Sequence, residues 1–190
     1  MHIGIGISPT FRSLHYGVFT QSITDTLDDG HDQVNTWDDD GFNGFIIAGI
    51  YWGAVCTGIT SFDTGGLVPK NSTIISATLT VDVIESAGSP AITFACEDAD
   101  TSDRPSGSNQ PKDMTITTAR TLRTDAASVG LVDVDITSSV QEVVNRAGWT
   151  EGVINVITKD LTGSGDYWHF KDYEHSSGTN PAKLVVTWSP

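Results

Sequence analysis

The chain has 190 residues and carries 24 Asp and Glu against 10 Lys and Arg, a formal net charge of −14. That balance excludes a nucleic-acid partner, whose phosphates are held by clustered Lys and Arg, and it disfavours an anionic membrane surface. No stretch reaches the ~18 apolar residues of a membrane span. A chain of this length can bury a full core without staples.

Valine and isoleucine each outnumber leucine two to one, and Ser, Thr and Gly are abundant. β-branched residues suit a pleated, half-buried surface, whereas Ser, Thr and Gly supply turns and solvated strand faces. Residues 1–40 alternate weakly and read as an N-terminal arm or lead-in, leaving residues 41–190 as the folded domain. The first segment of that domain is apolar and punctuated by glycine, with Phe45-Ile46-Ile47-Ala48 and Ala54-Val55-Cys56 as paired strands. Asp63-Thr64-Gly65-Gly66 and Pro69-Lys70-Asn71 follow as turns.

The clearest strand comes next. Ile75, Ala77, Leu79, Val81 and Val83 alternate with Ser76, Thr78, Thr80 and Asp82, which predicts one buried and one wet face. Ala91 to Cys96 is a further strand, and Glu97 to Asp113 a long polar loop of the kind that often carries function. Val132, Val134 and Ile136 predict a strand. Thr137 is placed to cap a short helix carrying Val140, Val143 and Val144, which Gly148 ends. Val153 to Ile157, Tyr167 to Tyr173 and Ala182 to Trp188 are the last strands. The fold class expected is all-β, a jelly-roll-like antiparallel β-sandwich with one short helix.

Chemistry-bearing motifs are sparse. Asp38-Asp39-Asp40-Gly41 suggests calcium, yet with Gly41 as the sixth loop position the first and twelfth fall on Thr36 and Ile47, so an EF-hand is excluded. An irregular oxygen-ligand Ca²⁺ site remains as a candidate, with Asp38, Asp40, Asp98 and Asp100 as its ligands. The five histidines lack zinc spacing, and Cys56 and Cys96 lie far apart in apolar settings, free or paired. There is no nucleophile elbow and no phosphate-binding glycine loop, so catalysis is not expected. His169 is expected on the face opposite Trp168 and Phe170. Trp37, Trp52, Trp149, Trp168, Tyr167 and Tyr173 are candidates for a sugar-stacking platform, the alternative being burial in the core. Trp149, Trp168 and Tyr173 are the leading ligand-binding candidates among them.

From Phe62 onward an ordered set of short pieces recurs. Phe62-Asp63 precedes Pro69 and Ile74-Ile75-Ser76-Ala77-Thr78-Leu79; then come Asp135-Ile136-Thr137, Val140-Gln141, Gly152, Phe170, Glu174 and Pro181 to Trp188. The set resembles DNRLRE-type jelly-roll modules of bacterial surface proteins, some of them carbohydrate-binding, and of phage structural proteins. It departs from that pattern between Cys96 and Ala119 and at Val144, where tryptophans are usual. The chain's length, an N-terminus without the features of a secretion signal and a non-basic surface favour a non-catalytic virion structural protein, a capsid decoration or tail-associated chain synthesised in the host cytoplasm and sited on the virion exterior. Its partners would be a capsid or tail protein and further copies of itself, with a surface glycan as a second ligand. The alternative is a carbohydrate-binding or adhesive module, extracellular or at the cell surface. No cofactor is required on either reading, Ca²⁺ being the one candidate ion.

Overall fold

The computed structural model describes residues 16–33, 36–38, 45–106, 108–125, 127–163, 165–176 and 179–190. The protein is all-β, a curled, half-barrel antiparallel sheet of the kind expected for a β-sandwich. The strands are β1 (Gly17–Ser22), β2 (Asp29–Gln33), β3 (Thr36–Asp38), β4 (Phe45–Tyr51), β5 (Ala54–Asp63), β6 (Thr73–Ala87), β7 (Ile92–Cys96), β8 (Thr121–Arg123), β9 (Gly130–Asp135), β10 (Val153–Asp160), β11 (Tyr167–Lys171) and β12 (Lys183–Ser189). Two helices accompany them, α1 (Thr137–Val144) and the single turn α2 (Tyr173–Ser176).

Neighbouring strands run β1-β12-β6-β11-β4-β5-β10-β7-β8, with β9 on the far side of β6 and the β2–β3 pair attached to β5. The 15-residue β6 joins the two halves. Its first part pairs with β12 and its last part with β11, while β9 runs along the opposite edge from Thr78 to Val83.

The alternation read in β6 is present, and Ala77, Leu79, Val81 and Val83 are all buried. In register with them lie Val186 and Leu184 of β12 and Val134 of β9. Across the sandwich the same core takes Ile46 and Ala48, Ile154 and Val156, Phe94, and Trp168 with Phe170. Ile75 departs from the pattern. It is 47% exposed, and Ile74 is buried in its place. The pairing slips between Thr187 and Trp188, which face Ser76 and Ile74, so Ile75 is the extra residue of a β-bulge and the alternation flips there.

Within residues 1–40, expected as an arm or lead-in, Gly17–Ser22 and Asp29–Gln33 are strands of the sheet. β1 pairs along β12, β2 pairs along β5, and Phe19 and Ile23 enter the core. Gly17 lets Trp188 of β12 lie across it, because a Cβ there would sit 2.1 Å from the indole ring. The remaining residues of the expected arm lie outside the described residues, apart from Tyr16 and the strand β3. Both cysteines are buried and free, which resolves the pairing left open by the sequence.

The long polar segment after β7 is pinned over the outer face of the sheet. Asn155 on β10 accepts from the Ser61 hydroxyl (2.6 Å) and donates to the Glu97 carboxylate and the Asp103 carbonyl, each at 2.8 Å. Met114 and Ile116 then pack on Ile59 and Ile157 in a small second cluster. At α1, Thr137 is the first helical residue rather than the cap. Asp135 accepts from its N–H and hydroxyl, and the Thr137 oxygen accepts the Ala77 N–H of β6 at 2.9 Å.

Substitutions on β6 should separate accordingly. Leu79→Asp is expected to abolish soluble folding, because an unpaired buried carboxylate costs several kcal/mol on the order-of-magnitude scale for buried charges. Ile75→Ser should change stability by less than about 0.5 kcal/mol, while Ile74→Ala should cost roughly 2 kcal/mol or more. Urea unfolding of the two variants beside the wild type measures the difference, and equal costs would show that the bulge is misplaced.

Candidate functional site

The β4–β5 hairpin turns through only two residues, Trp52 and Gly53, since Tyr51 pairs directly with Ala54. Both have positive φ, 49° and 77°, the signature of a type I′ turn that matches strand twist. Glycine adopts this geometry freely. Tryptophan does so at a cost of about 1–3 kcal/mol, and such strain clusters at functional sites. Trp52 is also the most exposed large hydrophobic residue described, at 78%.

A line of aromatic rings runs from this tip along the outer face of β4 and β11. Trp52 stacks on Tyr51 (centroids 4.9 Å apart, planes 15°). Tyr51 meets Tyr167 edge-on at 5.0 Å and His169 edge-on at 4.5 Å. Tyr167 and His169 stack at 4.5 Å, Phe45 stacks beyond His169 at 5.9 Å, and His175 tilts against Phe45 at 4.5 Å. The period of two in each strand generates the line. Residues 45 and 51 of β4, and 167 and 169 of β11, point outward while Ile46, Ala48, Trp168 and Phe170 point into the core. His169 therefore lies opposite Trp168 and Phe170, as the strand pattern predicts. Gly49 permits the close approach of β11, since a Cβ there would lie 2.3 Å from the Asp166 carbonyl oxygen.

Glu85 of β6 fixes two of these rings. One carboxylate oxygen accepts from the Tyr167 hydroxyl at 3.0 Å, and the other lies 3.5 Å from His169 Nδ1. Burial lowers the His169 pKa and Glu85 opposes that shift only in part, so the ring is neutral at neutral pH. Burial and the Glu85 hydrogen bond raise the Tyr167 pKa, which keeps its hydroxyl protonated. The ensemble is thus an exposed ring face with neutral polar rings and one solvent-accessible carboxylate beside it. It can stack on a ligand and accept hydrogen bonds from it.

The other sequence candidates are placed differently. Trp168 and Trp149 are buried in the main core, so neither offers a ring face to a ligand. Tyr173 is half-buried and packs against the same core from α2. Trp52 and Tyr167, from the wider aromatic set, form the platform instead. Asp98 and Asp100 do not open onto a cation site: Arg146 pairs with both, its Nε lying 2.9 Å from Asp100 and its Nη1 touching Asp98. The guanidinium supplies the countercharge to both carboxylates. Asp38 is described as part of β3, paired with His31, and Asp40 lies outside the described residues. Among the described residues no three His, Cys, Asp or Glu side chains converge to hold a metal ion.

Replacing Trp52 by Asn creates the Asn-Gly pair preferred in this turn, and relief of the strain should raise stability by about 0.5–1 kcal/mol. A denaturation midpoint below that of the wild type would instead show that the exposed ring supports the fold. No protein-family model and no curated protein matches this chain.

Proposed function

We propose that the protein is a non-catalytic binding protein that uses the Trp52–Tyr51–Tyr167 ridge to grip a saccharide. The observation that carries the reading is the Trp52 ring, held in solvent by a strained turn in which Asn would be more comfortable. A flat apolar ring face suits the C–H face of a pyranose, and Glu85 beside it is an acceptor for ring hydroxyls. The net charge of −14 favours neutral or amino sugars over uronic or sialic acids.

The setting that we propose is the exterior of a virion, as a capsid decoration or tail-associated protein present in several copies. The ordered resemblance to DNRLRE-type modules supports that setting. Adhesion of the same ridge at a cell surface is the alternative.

Two measurements test these statements. On a glycan array the wild type should bind a defined subset of neutral glycans. Trp52→Asn should lose ~2 kcal/mol, about thirtyfold in affinity, with an unchanged circular dichroism spectrum. Equal binding by the variant would remove the ridge from the reading. For the setting, mass spectrometry of purified phage particles from the source sample should find the chain at many copies per particle. Its recovery in a secreted or cell-surface fraction instead would favour the adhesive module.

A further inference from the structure

β2 reads Asp29-Gly30-His31-Asp32-Gln33, a polar strand with its first four residues buried. Asp29 and His31, two residues apart, share one face of it. Both are 0% exposed. Among the described residues no side chain hydrogen-bonds to the Asp29 carboxylate or to the His31 ring; only backbone groups bear on them, the Tyr173 N–H on Asp29 and the Phe45 carbonyl on His31. A lone ionised carboxylate in such a place is among the costliest arrangements in a protein interior.

The groups that face Asp29 make ionisation harder still. Asp172, which follows β11, and Glu174 of α2 act on it from the β11–α2 corner, and Asp28 acts from its own strand end. Asp28 has a cation of its own, Arg104 Nε at 2.8 Å. The Tyr173 backbone N–H is the one favourable dipole acting on Asp29. On β5 its register partner is Thr60, a hydroxyl that lacks a partner among the described residues. His31 supplies no countercharge, because burial and the neighbouring His169 push its pKa down to about 4. No convergent metal-ligand set exists among the described residues to replace the missing charge.

We infer that a proton on Asp29 is the clasp that lets the β11–α2 corner lie against β2, and that losing this proton drives the corner off the sheet. The inference is independent of the saccharide reading. Burial, then Asp172 and Glu174, push the Asp29 pKa up to about 9. Folded Asp29 thus keeps a proton that the unfolded chain sheds near pH 4. Its contribution to stability is complete below the unfolded carboxyl range and is lost as pH rises through 9.

Other buried groups mask this trend in acid but not in alkali. Asp32, raised by burial to about 6, follows the Asp29 trend between pH 4 and 6. His31 and His169, both lowered by burial, oppose it below about pH 6.5, because there the unfolded chain binds protons that the folded chain refuses. Above that range, among the described residues, the fall belongs chiefly to Asp29 until the thiols of the unfolded chain begin to ionise at about 8.5 and add to it, because burial raises both folded thiols.

The test is a urea-unfolding series on the full chain from pH 6.5 to 8.5, paired with amide exchange at Tyr173–Ser176. In the wild type the midpoint should fall, and exchange corrected for its intrinsic pH dependence should rise by roughly tenfold. Asp29→Asn, a neutral isostere of the protonated acid, should flatten both. Should that variant fail to fold, Glu174→Gln removes one opposing charge and should make the fall shallower. A flat wild-type profile, or an unchanged slope in these variants, overturns the inference. So does stabilisation of the wild type at pH 8.5 by 1 mM Ca²⁺ that Asp29→Asn abolishes, since a cation would then hold the corner.

Discussion

The backbone pairing of β6 is the constraint on which the rest of the molecule depends. One 15-residue strand supplies hydrogen bonds to β9 along one edge and to β12 and then β11 along the other. Buried N–H and C=O groups must be paired, so the register of β6 sets the register of three other strands. Through β11 it reaches β4, and through β4 it reaches β5 and β10. A slip of one residue anywhere along β6 would turn Leu79 and its row toward water, and the whole core resists that slip.

The ridge is a by-product of this registration. Glu85 lies on the last part of β6, where β11 pairs with it, and can therefore reach Tyr167 and His169. β4 lies on the other side of β11 and brings Tyr51 and Phe45 to the same face. Three strands distant in sequence thus deliver one line of rings, and a two-residue hairpin carries its exposed end. Rigid strands hold the inner rings, while Trp52 alone depends on a turn.

The sequence revealed the core strands well because their period of two is clear where one face is apolar. Leu79, Val81, Trp168 and Phe170 lie on the faces their strands predict. It concealed β2, since a strand buried on both faces without apolar residues looks like a loop; Asp29, His31 and Asp32 are covered by tertiary contacts that no local pattern encodes. The Ile74/Ile75 exchange was likewise hidden, for a bulge is a mismatch between two strands and is not written in either alone. Tryptophan serves cores and binding faces alike, so composition could not separate Trp168 from Trp52. The turn could: Trp52-Gly53 between two apolar runs is a short hairpin signal, and a large ring at its tip has nowhere to be buried. Asp98 and Asp100 looked like ligands because their partner, Arg146, lies 48 and 46 residues further along.

β1 has β12 as its only strand partner among the described residues, and every other described strand lies between the two in the chain. Loop closure over this distance must precede any reward from the contact. On the ribosome, then, Gly17–Ser22 waits as an unpaired edge until Lys183–Ser189 has emerged, and only then does this part of the sheet complete itself. During that interval the nascent chain presents strand edges open to neighbouring polypeptides. A fold organised in this way favours slow closure, in which β12 seals β1 only after all the strands between them have emerged.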